Sequence, residues 1–138
     1  MKKLLLLSLT ILLFSCGDSD SNSSNNVSIN PPSWTQGVWV DEENLSIGIR
    51  IGFEFKVDDF CTVITTSASC NKEILALYGD NENSLFVDVQ EEISAIRYAI
   101  DITMVSSTTS YIFEKIDNNH IIQKGVGGQA IDNILTRE

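Results

Sequence analysis

The chain has 138 residues, with 9 Lys and Arg against 19 Asp and Glu, a single His, 3 Cys and 43% hydrophobic residues. A formal charge of −10 repels phosphate backbones and anionic headgroups, which argues against nucleic acid as a partner and against membrane binding through a basic patch. With one histidine and no Cys-x-x-Cys, the common zinc ligand sets are missing, and no cofactor or metal is expected.

The N-terminus carries an address. Met1-Lys2-Lys3 is a positive start, and Leu4 to Phe14 is an apolar run broken only by Ser8 and Thr10. As a helix that run is about 16 Å long, and a bilayer core needs about 30 Å. The layout is that of a signal peptide. Its end, Leu13-Phe14-Ser15-Cys16, resembles the lipobox of bacterial lipoproteins, in which an aliphatic residue, a variable one and a small one precede the cysteine. The resemblance implies cleavage before Cys16, a diacylglycerol on its thiol and a palmitate-type acyl chain on its new amine. Each buried CH2 adds roughly 0.8 kcal/mol, so two or three chains anchor durably. The alternative is an ordinary secretory signal with a cysteine near the cut.

Gly17-Asp18-Ser19-Asp20 and the Ser/Asn run to Asn26 lack the apolar surface needed to fold. The expected division is residues 1–15 as signal, 16–33 as lipidated cysteine and flexible tether, and 34–138 as one folded domain. Acidic residues after the cysteine are similar to export signals of surface lipoproteins in the Bacteroidetes group, whereas a solubilising periplasmic linker is the other reading. Either way the expected location is the bacterial outer membrane, on its periplasmic or cell-surface side. Loss of Lys2 and Lys3 leaves 7 basic (9 − 2) against 19 acidic side chains, a balance of −12.

Beyond the tether, Gly37 to Val40 is expected to be the first strand. Ile47 to Val57 alternates strictly, with Ile47, Ile49, Ile51, Phe53, Phe55 and Val57 on one face, which predicts a long half-buried strand. Asp58-Asp59 turns the chain into a returning strand over Phe60 to Thr66. Asn71 to Tyr78 holds good helix formers, with Asn71 as cap and Gly79 as stop. Alternation then predicts strands around Leu85 to Val89, over Ile96 to Met104 and over Thr109 to Ile116. His120 to Lys124 and Ala130 to Arg137 are expected as the last two. Short connections favour an all-β, eight-stranded antiparallel up-and-down barrel with one short helix.

Gly37-Val38-Trp39 is similar to the Gly-x-Trp opening of lipocalins, and the likeness is nearest to short lipocalin-like domains of Bacteroidetes lipoproteins. The resemblance implies that Trp39 plugs the closed end of the barrel and that Arg137, in the last strand, packs across it. A chain this short, with its helix after the third strand, implies a smaller lumen than most lipocalins have.

Cys61 and Cys70 remain as a pair, and in an oxidising compartment they read as a disulfide worth roughly 2–3 kcal/mol. A two-cysteine metal site is the alternative. No catalytic residue stands out. His120 follows a turn, and the adjacent carboxylates Asp58-Asp59 and Glu91-Glu92 point to opposite faces if they lie on strands. Asp80 to Asn83 lacks the spacing of a calcium loop, and Gly125 to Gly128 lacks the lysine of a phosphate loop. An enzyme is therefore not expected. Two functions remain: a lipid-anchored module holding a small apolar ligand among Tyr98, Ile100, Tyr111 and Phe113, or a non-catalytic interaction protein whose barrel is filled.

Overall fold

A computed structural model of the chain describes residues 27–79, 87–125 and 132–138. The signal, Cys16 and the tether as far as Asn26 lie outside these residues. So do Asp80 to Asn83, Leu85, Val126 to Gly128, Ala130 and Ile131. Among the described residues no helix is long and apolar enough to cross a membrane.

The elements run β1 (Gly37–Asp41), α1 (Glu42–Ser46), β2 (Ile51–Phe55), β3 (Phe60–Ile64), β4 (Ser67–Cys70), α2 (Asn71–Gly79), β5 (Val87–Ile93), β6 (Arg97–Met104), β7 (Ser107–Lys115), β8 (His120–Lys124) and β9 (Asn133–Arg137). All strands join one nine-stranded antiparallel sheet in the order β4-β3-β2-β1-β9-β8-β7-β6-β5. Each sequence neighbour pairs with the next, except across α2, and the first strand pairs with the last. The sheet curls into a half-barrel, so that β2 and β3 face β6 and β7 through contacts such as Phe53 with Phe113 and Phe60 with Tyr111.

The expected closed eight-stranded barrel is thus corrected in two respects. A ninth strand, β4, extends the hairpin that β3 begins, and the ring is interrupted between β4 and β5. In that interruption sits α2, whose Leu75 is buried in the same core as the sheet. Ser67-Ala68-Ser69-Cys70 has no large apolar residue to mark it as a strand. Its partner β3 and the disulfide hold it in register.

The long strand expected over Ile47 to Val57 is likewise shorter. Asp41 accepts a hydrogen bond from the Asn44 N–H at 2.8 Å and caps α1, a helix that alternation concealed. Gly48 then takes φ +81°, a conformation that ends any strand ladder there. Ile47 and Ile49 are 70% and 40% exposed, and Val57, in the β2–β3 turn, is 72% exposed.

The folded body also begins earlier than Trp34. Residues 27–33, expected as tether, form a strap: Ile29 is 2% exposed, Pro31 is buried, and Val27 and Trp34 pack on the core. Glu91 holds the strap by accepting from the Asn30 backbone N–H at 2.9 Å.

Candidate functional site

The half-barrel interior is the first place to seek a ligand. Period two puts Phe53 and Phe55 of β2, Phe60 of β3, Tyr98 and Ile100 of β6, and Tyr111 and Phe113 of β7 on the same inner face, and the cross-strand register agrees (Tyr98 opposite Phe113, Ile100 opposite Tyr111). Curling brings these rings edge to face: Phe55 meets Phe113 at 4.9 Å between centroids, and Phe53 meets Phe113 at 5.1 Å. Such pairs add about 0.5–1.5 kcal/mol beyond their buried area. Tyr98 and Phe113 are 0% exposed and Ile100 is 1% exposed, so these three expected ligand contacts are taken up by the core itself. Tyr111 is half-buried, packed on Phe53 and Phe60. A ligand seated among these four residues would have to displace their packing.

Tyr98 carries the one polar group in this cluster that reaches a charge. Its hydroxyl donates to Glu91 Oε1 at 2.6 Å. Burial, reinforced by that hydrogen bond and by the nearby negative charge, pushes the phenol far above its ordinary range. Burial alone pushes the Tyr111 phenol up as well. Glu91 therefore joins the core, through Tyr98, to the strap, through Asn30.

At the strapped end, Trp39 and Arg137 lie against each other. Trp39 is fully buried, and its indole N–H donates to the Thr35 carbonyl. Arg137 Cζ lies 4.5 Å from the Trp39 ring centroid, and its guanidinium donates to the Trp34 carbonyl at 3.0 Å. Register produces this arrangement, because Trp39 of β1 stands directly opposite Arg137 of β9. Trp34 donates its indole N–H to the Ser94 carbonyl at 2.9 Å, tying the strap to the β5–β6 turn.

Cys61 and Cys70 are directly opposed on β3 and β4 and are joined by a disulfide, with Sγ atoms 2.09 Å apart. Asp59, 5% exposed, lies beside them, and the three potential ligand atoms fall within 4.8 Å of one another. Asp59 also accepts from the Lys72 backbone N–H at 2.9 Å, which caps the first turn of α2. Its neighbour Asp58 points away and pairs with the Lys72 ammonium, which holds the Asp58 carboxyl below its usual range. Glu91 and Glu92 diverge in the same way, Glu91 toward the strap and Glu92 toward Arg97.

His120 is half-exposed. Its Nδ1 is 2.9 Å from the Asp117 carboxylate, and its Nε2 faces Glu42 at 3.5 Å. Backbone hydrogen bonding at Asn119, then the His120 ring, draws the Asp117 carboxyl down. A carboxylate thus stands near each of the two ring nitrogens. A shallow cavity of about 330 Å³ lies over β5, β6 and β7, where the small Ala99 is ringed by Gln90, Glu92, Arg97 and Asp101.

No protein-family model matches the chain, and neither a curated protein nor a solved structure matches it. The geometry alone therefore carries the reading. The strap, the Glu91 latch and the approach of Asp59 to the cysteines escaped sequence reasoning. Val27-Ser28-Ile29-Asn30 does alternate, a faint signal overshadowed by the Ser/Asn run before it. For Glu91, its separation of 61 residues from Asn30 conceals the contact, whereas Asp59 stands only two residues from Cys61 and was masked by its place in a turn.

Proposed function

We propose that the chain is a lipid-anchored, non-catalytic protein of the bacterial envelope that acts through its outer surface on another envelope protein. Its half-barrel is a filled scaffold and not a carrier for an apolar ligand. The observation behind the second point is the aromatic cluster: Phe60, Tyr98 and Phe113 are each 0% exposed where a lumen would lie. The anchor rests on the sequence Leu13-Phe14-Ser15-Cys16 and the signal before it. The kinship with lipocalin-like lipoprotein domains rests on Gly-x-Trp, and the Trp39–Arg137 stack supports it.

Native mass spectrometry of the purified chain, with fatty acids and sterols added, tests the filled scaffold. No stoichiometric bound species is expected. A ligand at 100 times its Kd would stabilise the fold by about 2.7 kcal/mol, which a melting curve would also register. A one-to-one complex accompanied by such a rise would reinstate the carrier. Cys16→Ser should move the protein from the membrane to the soluble fraction, and a variant that stays with the membrane would remove the anchor from this account.

A further inference from the structure

The two ends of the half-barrel differ in chemistry. Because neighbouring strands are antiparallel, the β2–β3, β5–β6 and β7–β8 turns share the strapped end, and the β1–β2, β3–β4 and β6–β7 connections share the opposite end, the mouth. At the strapped end the exposed apolar side chains sit among ionised ones: Val57 between Lys56 and Asp58, Ile96 beside Arg97, and Ile116 between Lys115 and Asp117. At the mouth the turns Ile64-Thr65-Thr66-Ser67 and Met104-Val105-Ser106-Ser107 carry no charge, and neither does Asn44 to Ile49. Ile47, Ile64 and Val105 stand 70%, 54% and 58% exposed there. Arg50, which follows Ile49, is held by Glu138 at 2.6 Å.

Two further observations single out the mouth. Among the described residues, the non-glycine positions with positive φ are Thr65 (55°) and Val105 (60°), one in each of these uncharged turns. Hairpin turns usually place glycine or asparagine in that region, and β-branched residues are rare in it. Such outliers gather at functional positions. The tether also leaves from this end. Asn30 meets Glu91 and Trp34 meets Ser94, so the strap runs alongside β5 and in its direction. Its start, Val27, therefore lies toward Val87, which stands opposite Met104 at the foot of the β6–β7 turn.

We infer that the mouth is the surface on which the anchored body rests, with Ile47, Ile64 and Val105 entering the headgroup layer of the bilayer that holds the acyl chains. This rests on the anchor proposed above. Ten residues, Gly17 to Asn26, separate Cys16 from Val27, so lipid and mouth meet the same patch of membrane without the leash turning back around the body. Apolar side chains gain by leaving water at that interface, whereas the ionised groups of the strapped end would lose their hydration there. Three shallow contacts orient a chain that the anchor already keeps at the surface, where its effective concentration is high. They do not recruit a free chain, so the Cys16→Ser protein is still soluble. The outer strands and the strapped end are left to face a partner.

Tryptophan fluorescence, quenched by bromine in the lipid, tests this on the acylated chain purified from membranes. Val105→Trp and Ile47→Trp at the mouth, and Val57→Trp at the strapped end, are placed in phosphatidylcholine vesicles that are plain or brominated on the upper acyl carbons. Those carbons lie within the roughly 5–10 Å that an interfacial apolar face penetrates. Trp34 and Trp39 give the same background in each variant. Ile47→Trp lies outside the β6–β7 turn, so a hairpin distorted by Val105→Trp does not silence the measurement. Brominated lipid should quench both mouth variants and leave Val57→Trp at the intensity ratio of the parent. Flotation with the vesicles reads the anchor separately. A chain that does not float overturns the anchor and this inference with it. A chain that floats while its mouth tryptophans are quenched no more than Val57→Trp overturns the inference alone. So does a cross-linked dimer whose mouth tryptophans are screened from bromine by a second copy.

Discussion

Replacing Ile29 with alanine separates a strap from a tether. In a tether the change touches nothing, and a surface substitution of that kind stays within about 0.5 kcal/mol. In the strap, Ile29 is 2% exposed and belongs to the same core cluster as Trp39 and Phe113. Truncating a buried isoleucine to alanine costs about 2–5 kcal/mol, the lower end applying where the surroundings can collapse into the space. A strap crossing the end of a sheet can settle inward, so about 2 kcal/mol is expected. For a domain of this size that lowers Tm by roughly 8–15 °C. Urea denaturation of the chain lacking its signal, with Cys16 replaced by serine, should show the midpoint fall while the slope is unchanged, because the surface exposed on unfolding barely alters. A midpoint within error of the parent would show that the strap contributes nothing and that the folded body starts at Trp34.

Two further outcomes follow from close contacts. A Cβ on Gly52 would stand 1.9 Å from the Trp39 carbonyl oxygen and 2.8 Å from Val40 Cα, both backbone atoms that cannot rotate aside. Gly52→Ala should therefore cost at least about 3 kcal/mol or prevent folding, and soluble expression with a parental melting curve would refute that. Tyr98 gives a pH signature. Its folded-state pKa is raised, so its stabilisation is complete below the unfolded phenol pKa near 10 and is lost as pH climbs above that value. Melting curves from pH 8 to 11 should show the parent losing up to about 1.4 kcal/mol per pH unit at the alkaline end through this group. Tyr98→Phe should have a shallower alkaline slope, and identical slopes would rule Tyr98 out as the cause.

The fold was legible where alternation and side-chain size agree. Phe53 and Phe55 lie inward as period two requires, and so do Tyr98, Ile100, Tyr111 and Phe113. It was illegible where local chemistry overrides the pattern. Ile47 and Ile49 continue the alternation of β2 perfectly, yet the Asp41 cap and the positive φ of Gly48 divert that stretch into α1 and a loop. In β4 the reverse holds, since Ser67-Ala68-Ser69 has no β signal and is a strand because β3 and Cys61 hold it there. Sequence placed Tyr98 and Phe113 on a common inner face, but whether that face encloses a lumen depends on how tightly the sheet curls. Curvature arises from packing across the sheet, which no stretch of residues encodes alone.

The strap sets the mechanics of attachment. If Cys16 is acylated as proposed, only Gly17 to Asn26 separate the lipid from Val27, the first residue described in the strap. Ten residues reach at most about 36 Å when fully drawn out. The leash thus confines the body to a thin layer above the bilayer, and any partner must be met within that radius. A pull on the lipid would load the Asn30–Glu91 contact and Ile29 first, before any rung between strands felt the force.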